Sequence, residues 1–240
     1  GWPQIYHRRP FRNNVVMSSM LSIILPAYNE EKHIKKNTLL LLDACKKLQT
    51  TAEIIIVEES NDKTPEIAES LSKTYAQIRH YHFNRRLGKG GALEKGVARA
   101  RGDRIVFMDT DLATDLSALK DMIEKLNIYD VVIGSRYHPQ SRVHRTPLRL
   151  MLSRPYALLA RMLLRVNVRD LQCGFKGFKR SKALPFMHNI RNQGFFWDTE
   201  FLYYCRKNGL SIREIPVVWH ETRTSVNTVL EMNKNLLRLF

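Results

Sequence analysis

Two aspartates, Asp109 and Asp111, stand in the stretch FMDTDLATD, directly after the apolar run 104–108. In an extended segment residues i and i+2 point the same way, so both carboxylates can reach one cation. Carboxylate oxygens suit hard divalent ions such as Mg2+ or Mn2+, which keep waters and bridge to phosphate groups. Two carboxylates this close repel each other, and a bound cation is the natural neutraliser. Asp115, four residues on, reads as the N-cap of a helix starting at Leu116. A lone D-x-D is more often a turn or a cap. Two further polar clusters, at 28–31 and 58–62, also follow apolar runs, and that shifts the weight toward a shared site.

The elements that must position these clusters are legible from periodicity. Leu21 to Leu25 is a β-rich run ended by Pro26, and Ile34, Leu41, Leu42, Cys45 and Leu48 recur at helical spacing. The run 53–57 is a second buried strand. Thr64 followed by Pro65 reads as an N-cap with proline at the first helical position. A third strand is expected over 78–83, a glycine-rich turn opens a helix at GKGGALEKGVARARG, and further strands fall at 104–108 and 130–135. Alternating strands and helices predict an α/β domain with a mixed, mainly parallel sheet and helices on both faces. Ligands of such sheets bind outside the carboxyl ends of the strands, so the three clusters should converge there.

Composition narrows the class. The chain has 240 residues, enough for one α/β domain, and a net charge of +16. Between Arg136 and Lys182 stand twelve Lys/Arg and one acid, Asp170. Such a block attracts anions, although a solvated basic face reads the same way. No apolar stretch approaches the ~20 residues that cross a bilayer. Three cysteines without C-x-x-C spacing read as buried thiols of a reducing compartment. The histidines show no zinc spacing.

The segments SIILPAYNEE, EIIIVEESNDKT, LGKGGAL, FMDTDLATD, VVIGSRY and DLQCGFKGF occur in that order. Together they resemble the inverting family 2 glycosyltransferases with a GT-A fold, the Rossmann-like fold of nucleotide-diphospho-sugar transferases. Within that family the likeness is to the polyprenyl-phosphate branch, the dolichyl-phosphate glucosyltransferases and mannose synthases, and it runs from Leu21 to Trp219. The resemblance implies a metal-dependent hexosyltransferase. Its donor would be a nucleotide diphosphate sugar, UDP-glucose favoured and GDP-mannose the alternative, and its acceptor a polyprenyl phosphate.

By that resemblance Pro26, Ala27, Tyr28 and Glu30 cradle the base, while Asn29 reads as a helix N-cap. The family pattern DDGSxDGT is replaced by EESNDKT, which leaves Glu59, or else Glu58, for the contact to base or ribose. Lys89 and Thr110 fall beside the donor phosphates. The turn around Lys89 lacks the GxxxxGK[ST] spacing of a P-loop. Asp109 and Asp111 are the implied metal ligands, with Asp111, Arg136 and Asp198 as the implied catalytic set. Arg136, Arg149, Ser153 and Gln172 match acceptor-phosphate positions, and Asp170, Gln172 and Gly174 a pocket wall. Asp198 is a base, an orienting group or a helix cap; a phosphate acceptor, already ionised, needs no base. Cys173 reads as packing.

Residues 148–166 place leucines beside Arg154, Arg161 and Arg165, as in a helix lying on a membrane surface. The expected organisation is an extension or tag at 1–19, a transferase domain at 20–225 with the interface region 146–166, and a helix at 226–240. The expected location is peripheral, on the cytoplasmic side of a membrane. Two other readings stay open: the same fold acting on a glycan or protein hydroxyl, and a non-catalytic basic module. No nucleic-acid-reading motif is present, so nucleic acid is not an expected partner. The oligomeric state is not readable.

Overall fold

The computed structural model describes residues 20–144 and 166–221. In chain order the elements are β1 (Leu21–Ala27), α1 (Ile34–Lys47), β2 (Ala52–Glu58), α2 (Thr64–Thr74), β3 (Ile78–His82), α3 (Gly88–Arg99), β4 (Arg104–Met108), α4 (Ala118–Ile128), β5 (Val131–Ser135) and β6 (Arg142–His144). They are followed by β7 (Phe175–Lys179), the short α5 (Arg180–Ala183), a 3-10 turn (Leu184–Asn189), α6 (Trp197–Lys207), β8 (Ile212–Pro216) and β9 (Val218–His220). A seven-stranded sheet has the order β3-β2-β1-β4-β7-β5-β8, and β6 pairs with β9 in a separate ribbon. Every ladder of the large sheet is parallel except the two made by β7, which runs antiparallel between β4 and β5.

Strand alternation sends the apolar side chains to two cores. Leu21, Ile23 and Leu25 of β1, Ile54 and Ile56 of β2, and Val106 and Met108 of β4 pack with α1, α2 and α4 on one face. Ile24, Ile55, Val57, Ile105 and Phe107 face the opposite core, built with α3 and α6. Strands buried on both faces read as continuous apolar runs, which is why they stand out in the sequence. The expected mixed, mainly parallel sheet with helices on both faces is therefore the one observed.

Four local expectations are corrected. Pro26 does not end β1, which continues to Ala27 in register with β2. The β1–β4 ladder has already stopped at Ile24↔Phe107, so proline sits where β1 is paired on one side. Thr64 does not cap α2: its hydroxyl accepts the Glu30 N–H at 2.8 Å, and Asp62 instead accepts the Thr64 N–H at 2.9 Å. Asn29 does not cap α1. It holds φ +55° and its Oδ1 accepts the Asn61 N–H at 3.0 Å, tying the loop after β1 to the loop after β2. Asp115 accepts the Ser117 N–H at 2.8 Å, and α4 begins three residues later, at Ala118.

The expected extension at 1–19, the interface region around 146–166 and the helix at 226–240 lie, wholly or nearly so, outside the described residues. Among the described residues no helix is long and apolar enough to cross a membrane.

Candidate functional site

Asp109 is the first residue past β4, and its N–H bonds the Gly174 carbonyl at 3.1 Å, just before β7. Glycine is required at 174: a Cβ there would lie 1.7 Å from Asp109 Oδ2. The Lys89 Nζ, from the first turn of α3, sits 3.0 Å from Asp109 Oδ1 and 3.2 Å from Asp198 Oδ2. Asp198, in the first turn of α6, takes its other oxygen to Lys176 Nζ at 2.5 Å. Lys176 is fully buried on β7 and also donates to the Cys173 carbonyl. The result is an alternating line of charges, Asp109, Lys89, Asp198 and Lys176, running from the rim of the sheet into its interior.

Burial opposes each charge, and the line compensates it. Burial alone would push the Asp109 carboxyl up, but Lys89, then Lys176 and Arg136, hold it below the usual carboxylate range. Burial would likewise lower Lys89, and Asp109 and Asp198 keep it above the ordinary lysine range. Asp198 makes no side-chain cap to its own helix. Both of its oxygens face ammonium groups, which excludes the capping role considered for it.

Lys176 is the member that sequence reasoning missed. It stood in FKGFK within a block counted as basic surface. The available signal was its place between phenylalanines on a strand buried on both faces, where an unpaired lysine would be very costly.

Asp111 accepts the Ala113 N–H at 3.1 Å, in a turn where Leu112 holds φ +49°. The Thr110 hydroxyl is spent on the Pro26 carbonyl at 2.8 Å, and its own carbonyl accepts from Asn37 at 2.9 Å. Thr110 thus latches the Asp109–Asp111 turn to β1. The donor set offered to a metal is two carboxylates on one turn, with the Asp109 side chain 40% exposed. Hard oxygen donors with open positions fit Mg2+ or Mn2+ that also bind phosphate oxygens. Asp109 and Asp111 would hold such an ion. Among the described residues no group of three or more His, Cys, Asp or Glu could enclose one alone.

The base-side candidates cluster around the ends of β1 and β2. Tyr28 is part-exposed, and the Arg86 guanidinium lies 3.4 Å from its ring centroid. Glu59 binds the N–H groups of Leu87 at 2.6 Å and Gly88 at 3.1 Å, with Arg86 3.1 Å away. It thereby fixes the start of α3, and with it Lys89. Glu58 is fully buried and accepts from Ser60 N–H, with His80 and His82 at 3.0 and 2.6 Å. Burial works against its charge, but the bonds from His80, Ser60 and His82 outweigh burial and keep its pKa below the ordinary value. Of the two candidates, Glu58 is the more fully enclosed by protein partners. Glu30 is buried, with its N–H on Thr64. Pro26 and Ala27 line the end of β1.

On the other flank Arg136, just past β5, forms a two-pronged pair with Asp170 at 2.7 and 2.8 Å, and its N–H bonds the same carboxylate. Burial is offset here too, leaving Asp170 below and Arg136 above their usual ranges. Gln172 donates to Thr199 Oγ1 at 2.6 Å, joining this wall to α6. Cys173 is buried and its thiol is pushed up to about 11 by burial, as a packing residue should be. Arg149 and Ser153 lie outside the described residues.

Comparison with known proteins agrees with this geometry. The model of the family "Glycosyl transferase family 2" matches residues 22–184. The chain is 38% identical over 227 residues to "Glycosyltransferase AglD" of Haloferax volcanii, spanning 91% of this chain but only 36% of that protein. It is 33% identical over 237 residues to "Dolichyl-phosphate beta-glucosyltransferase ALG5A" of Trichomonas vaginalis, 92% of this chain and 73% of that one. Among solved structures, glucosyl-3-phosphoglycerate synthase from Mycobacterium tuberculosis, in complex with Mn2+, UDP-glucose and phosphoglyceric acid, superposes with a TM-score of 0.67 at 18% identity. That match covers 91% of this chain and 77% of that one. The shared fold is the GT-A sheet expected from the sequence.

Proposed function

The chain belongs to glycosyl transferase family 2, and from that premise we propose that it moves a hexose, by preference glucose from UDP-glucose, onto a polyprenyl phosphate at a membrane surface. An acceptor phosphate oxygen attacks the anomeric carbon while the bond from that carbon to the nucleoside diphosphate breaks on the opposite side, so configuration inverts. In this reading Tyr28 and the Glu58–Glu59 segment read the base and ribose, and Lys89 meets a donor phosphate. Asp109 and Asp111 would hold Mg2+ or Mn2+, which when bound supplies positive charge to the departing diphosphate. In this reading Arg136, pre-oriented by Asp170, binds the acceptor phosphate with Gln172, and Arg149 and Ser153 complete that set from the sequence.

The observation that carries the phosphate acceptor is Asp198. A hydroxyl acceptor needs a base to take its proton. Asp198, the carboxylate that family likeness offers for that task, has one oxygen on Lys176 and the other facing Lys89. Such a group orients lysines: Oδ1 is hydrogen-bonded to one ammonium, and Oδ2, without a hydrogen bond of its own, is buried 3.2 Å from another, which makes it a poor base for a substrate proton. An acceptor that arrives ionised suits it. The membrane part of the reading rests on the sequence of 148–166 and on the names of the relatives. The organisation into a 20–225 transferase unit with flanking segments, and a peripheral place on the cytoplasmic side, belong to the same proposal.

The test is incubation with labelled UDP-glucose, UDP-N-acetylglucosamine or GDP-mannose, Mg2+ or Mn2+, and a polyprenyl phosphate. Labelled lipid from UDP-glucose is the expected product. No labelled lipid from any donor would remove the acceptor assignment.

A further inference from the structure

The line of charges at the sheet rim has a counting problem that only a donor can solve. Lys89 and Lys176 balance Asp109 and Asp198. A divalent ion arriving alone would leave this largely buried group net positive. It would also have to share Asp109 with an ammonium already 3.0 Å from Oδ1.

Lys89 cannot simply swing into water. Its side chain is 10% exposed, with the rings of Phe107 and Phe195 each 6.0 Å from Nζ. Its helix start is pinned by Glu59 through Leu87 and Gly88, and by the Gln193 carbonyl, which accepts from Gly90 and Gly91 at 2.8 and 3.2 Å. Gly90 has no room for change either: a Cβ there would lie 2.6 Å from Trp197 Cβ. With the backbone at its base fixed, the ammonium has two anions in reach among the described residues, and both are protein carboxylates. A nucleoside diphosphate brings a third.

We propose that the Lys89 ammonium serves as the counter-ion of Asp109 before ligands bind and yields it only when a nucleoside diphosphate arrives, so that metal and donor enter together. This rests on the donor-site reading above. It adds that Lys89 makes metal binding conditional, a coupling that must be reciprocal between the two ligands. The device would keep the carboxylates from scavenging divalent ions without substrate, while leaving the ammonium on hand for the diphosphate.

The test uses Mn2+ as the probe, with free ion followed by electron paramagnetic resonance, first alone and then with UDP or GDP. Wild-type protein is expected to bind Mn2+ weakly alone and much more tightly with the matching nucleotide. Lys89→Met and Lys89→Gln should bind Mn2+ alone on the order of 10-fold more tightly than wild type, with a correspondingly smaller gain from the nucleotide. The glutamine variant keeps hydrogen-bond donors for both carboxylates, in case methionine disturbs the fold. Lys89→Arg retains the charge and should bind Mn2+ alone as weakly as wild type. Neutral variants that bind Mn2+ alone no better than wild type, while wild type still binds Mn2+ with nucleotide, would overturn the conditional role and leave the donor site standing. Wild type that takes up no Mn2+ with either nucleotide would remove both.

Discussion

The two flanks of the crevice handle buried charge differently. On the α3–α6 side, charges form a line that ends at Asp109, a carboxylate 40% exposed and still able to accept a cation. On the β5 side, Arg136 and Asp170 close on each other through three hydrogen bonds. An open line can exchange its last partner when a ligand arrives; a closed pair serves as a fixed post. On the proposed function, the difference means that the flank assigned to the donor is built for exchange and the one assigned to the acceptor for placement.

The sharpest way to break this contrast is at the open end. Asp109→Ala should lower the rate of lipid labelling by on the order of 10³-fold, the scale seen when a group stabilising transition-state charge is removed. The fold should remain, because Asp109 is part-exposed, and circular dichroism would check that. At the closed pair the loss should fall on stability instead. Asp170→Ala leaves the Arg136 guanidinium buried without its counter-ion, a change that costs about 3 kcal/mol and is read from the urea midpoint. If Asp170→Ala melts like wild type, the fixed-post description fails.

Asp198→Asn discriminates more finely. Loss of a general base costs on the order of 10²–10⁴-fold. If Asp198 only orients Lys89 and Lys176, the rate should drop by about 10-fold, since an amide oxygen still accepts from one lysine. A near-total loss would favour a hydroxyl acceptor.

The smallest expected effect lies at the base end, in the Glu58–His82 pair. The hydrogen bond to Glu58 raises His82 above the ordinary 6.5, while Glu58 is held below its ordinary 4.5. The histidine's contribution is present in full below pH 6.5 and is lost as pH rises through its raised folded value. The glutamate's contribution is present above pH 4.5 and is lost as pH falls through its depressed one. The pair is therefore strongest between about pH 4.5 and 6.5. His82→Gln should lower the melting temperature more at pH 5.5 than at pH 8.5. The difference should be roughly 0.5 kcal/mol or less, because solvent screens a histidine side chain 37% exposed.

The parallel half of the sheet was legible because its strands are apolar on both faces and alternate with amphipathic helices. The three polar clusters were legible because each follows such a strand. What escaped reading depended on partners distant in sequence. β7 was not read as a strand, since nothing local in DLQCGFKGF says that it enters the sheet antiparallel between β4 and β5. Lys176 was missed with it, because its partner Asp198 stands on α6, well outside any local motif. Thr64 and Asn29 were read as caps since each stands where a helix could begin. The fold uses them instead as cross-loop ties to Glu30 and Asn61, a choice that only the pairing of β1 with β2 makes available.

The placement of β7 also constrains how the polypeptide is made. Among the described residues β4 and β5 share no ladder; the antiparallel strand between them is their sole bond partner in common. Until residue 179 has emerged from the ribosome, a nascent chain leaves β4 unpaired at one edge and β5 at both, each a template for pairing with a neighbouring molecule. Products truncated anywhere before Phe175 should aggregate, and the same strand delivers Lys176, so the join between β4 and β5 and the inner end of the charged line arrive together.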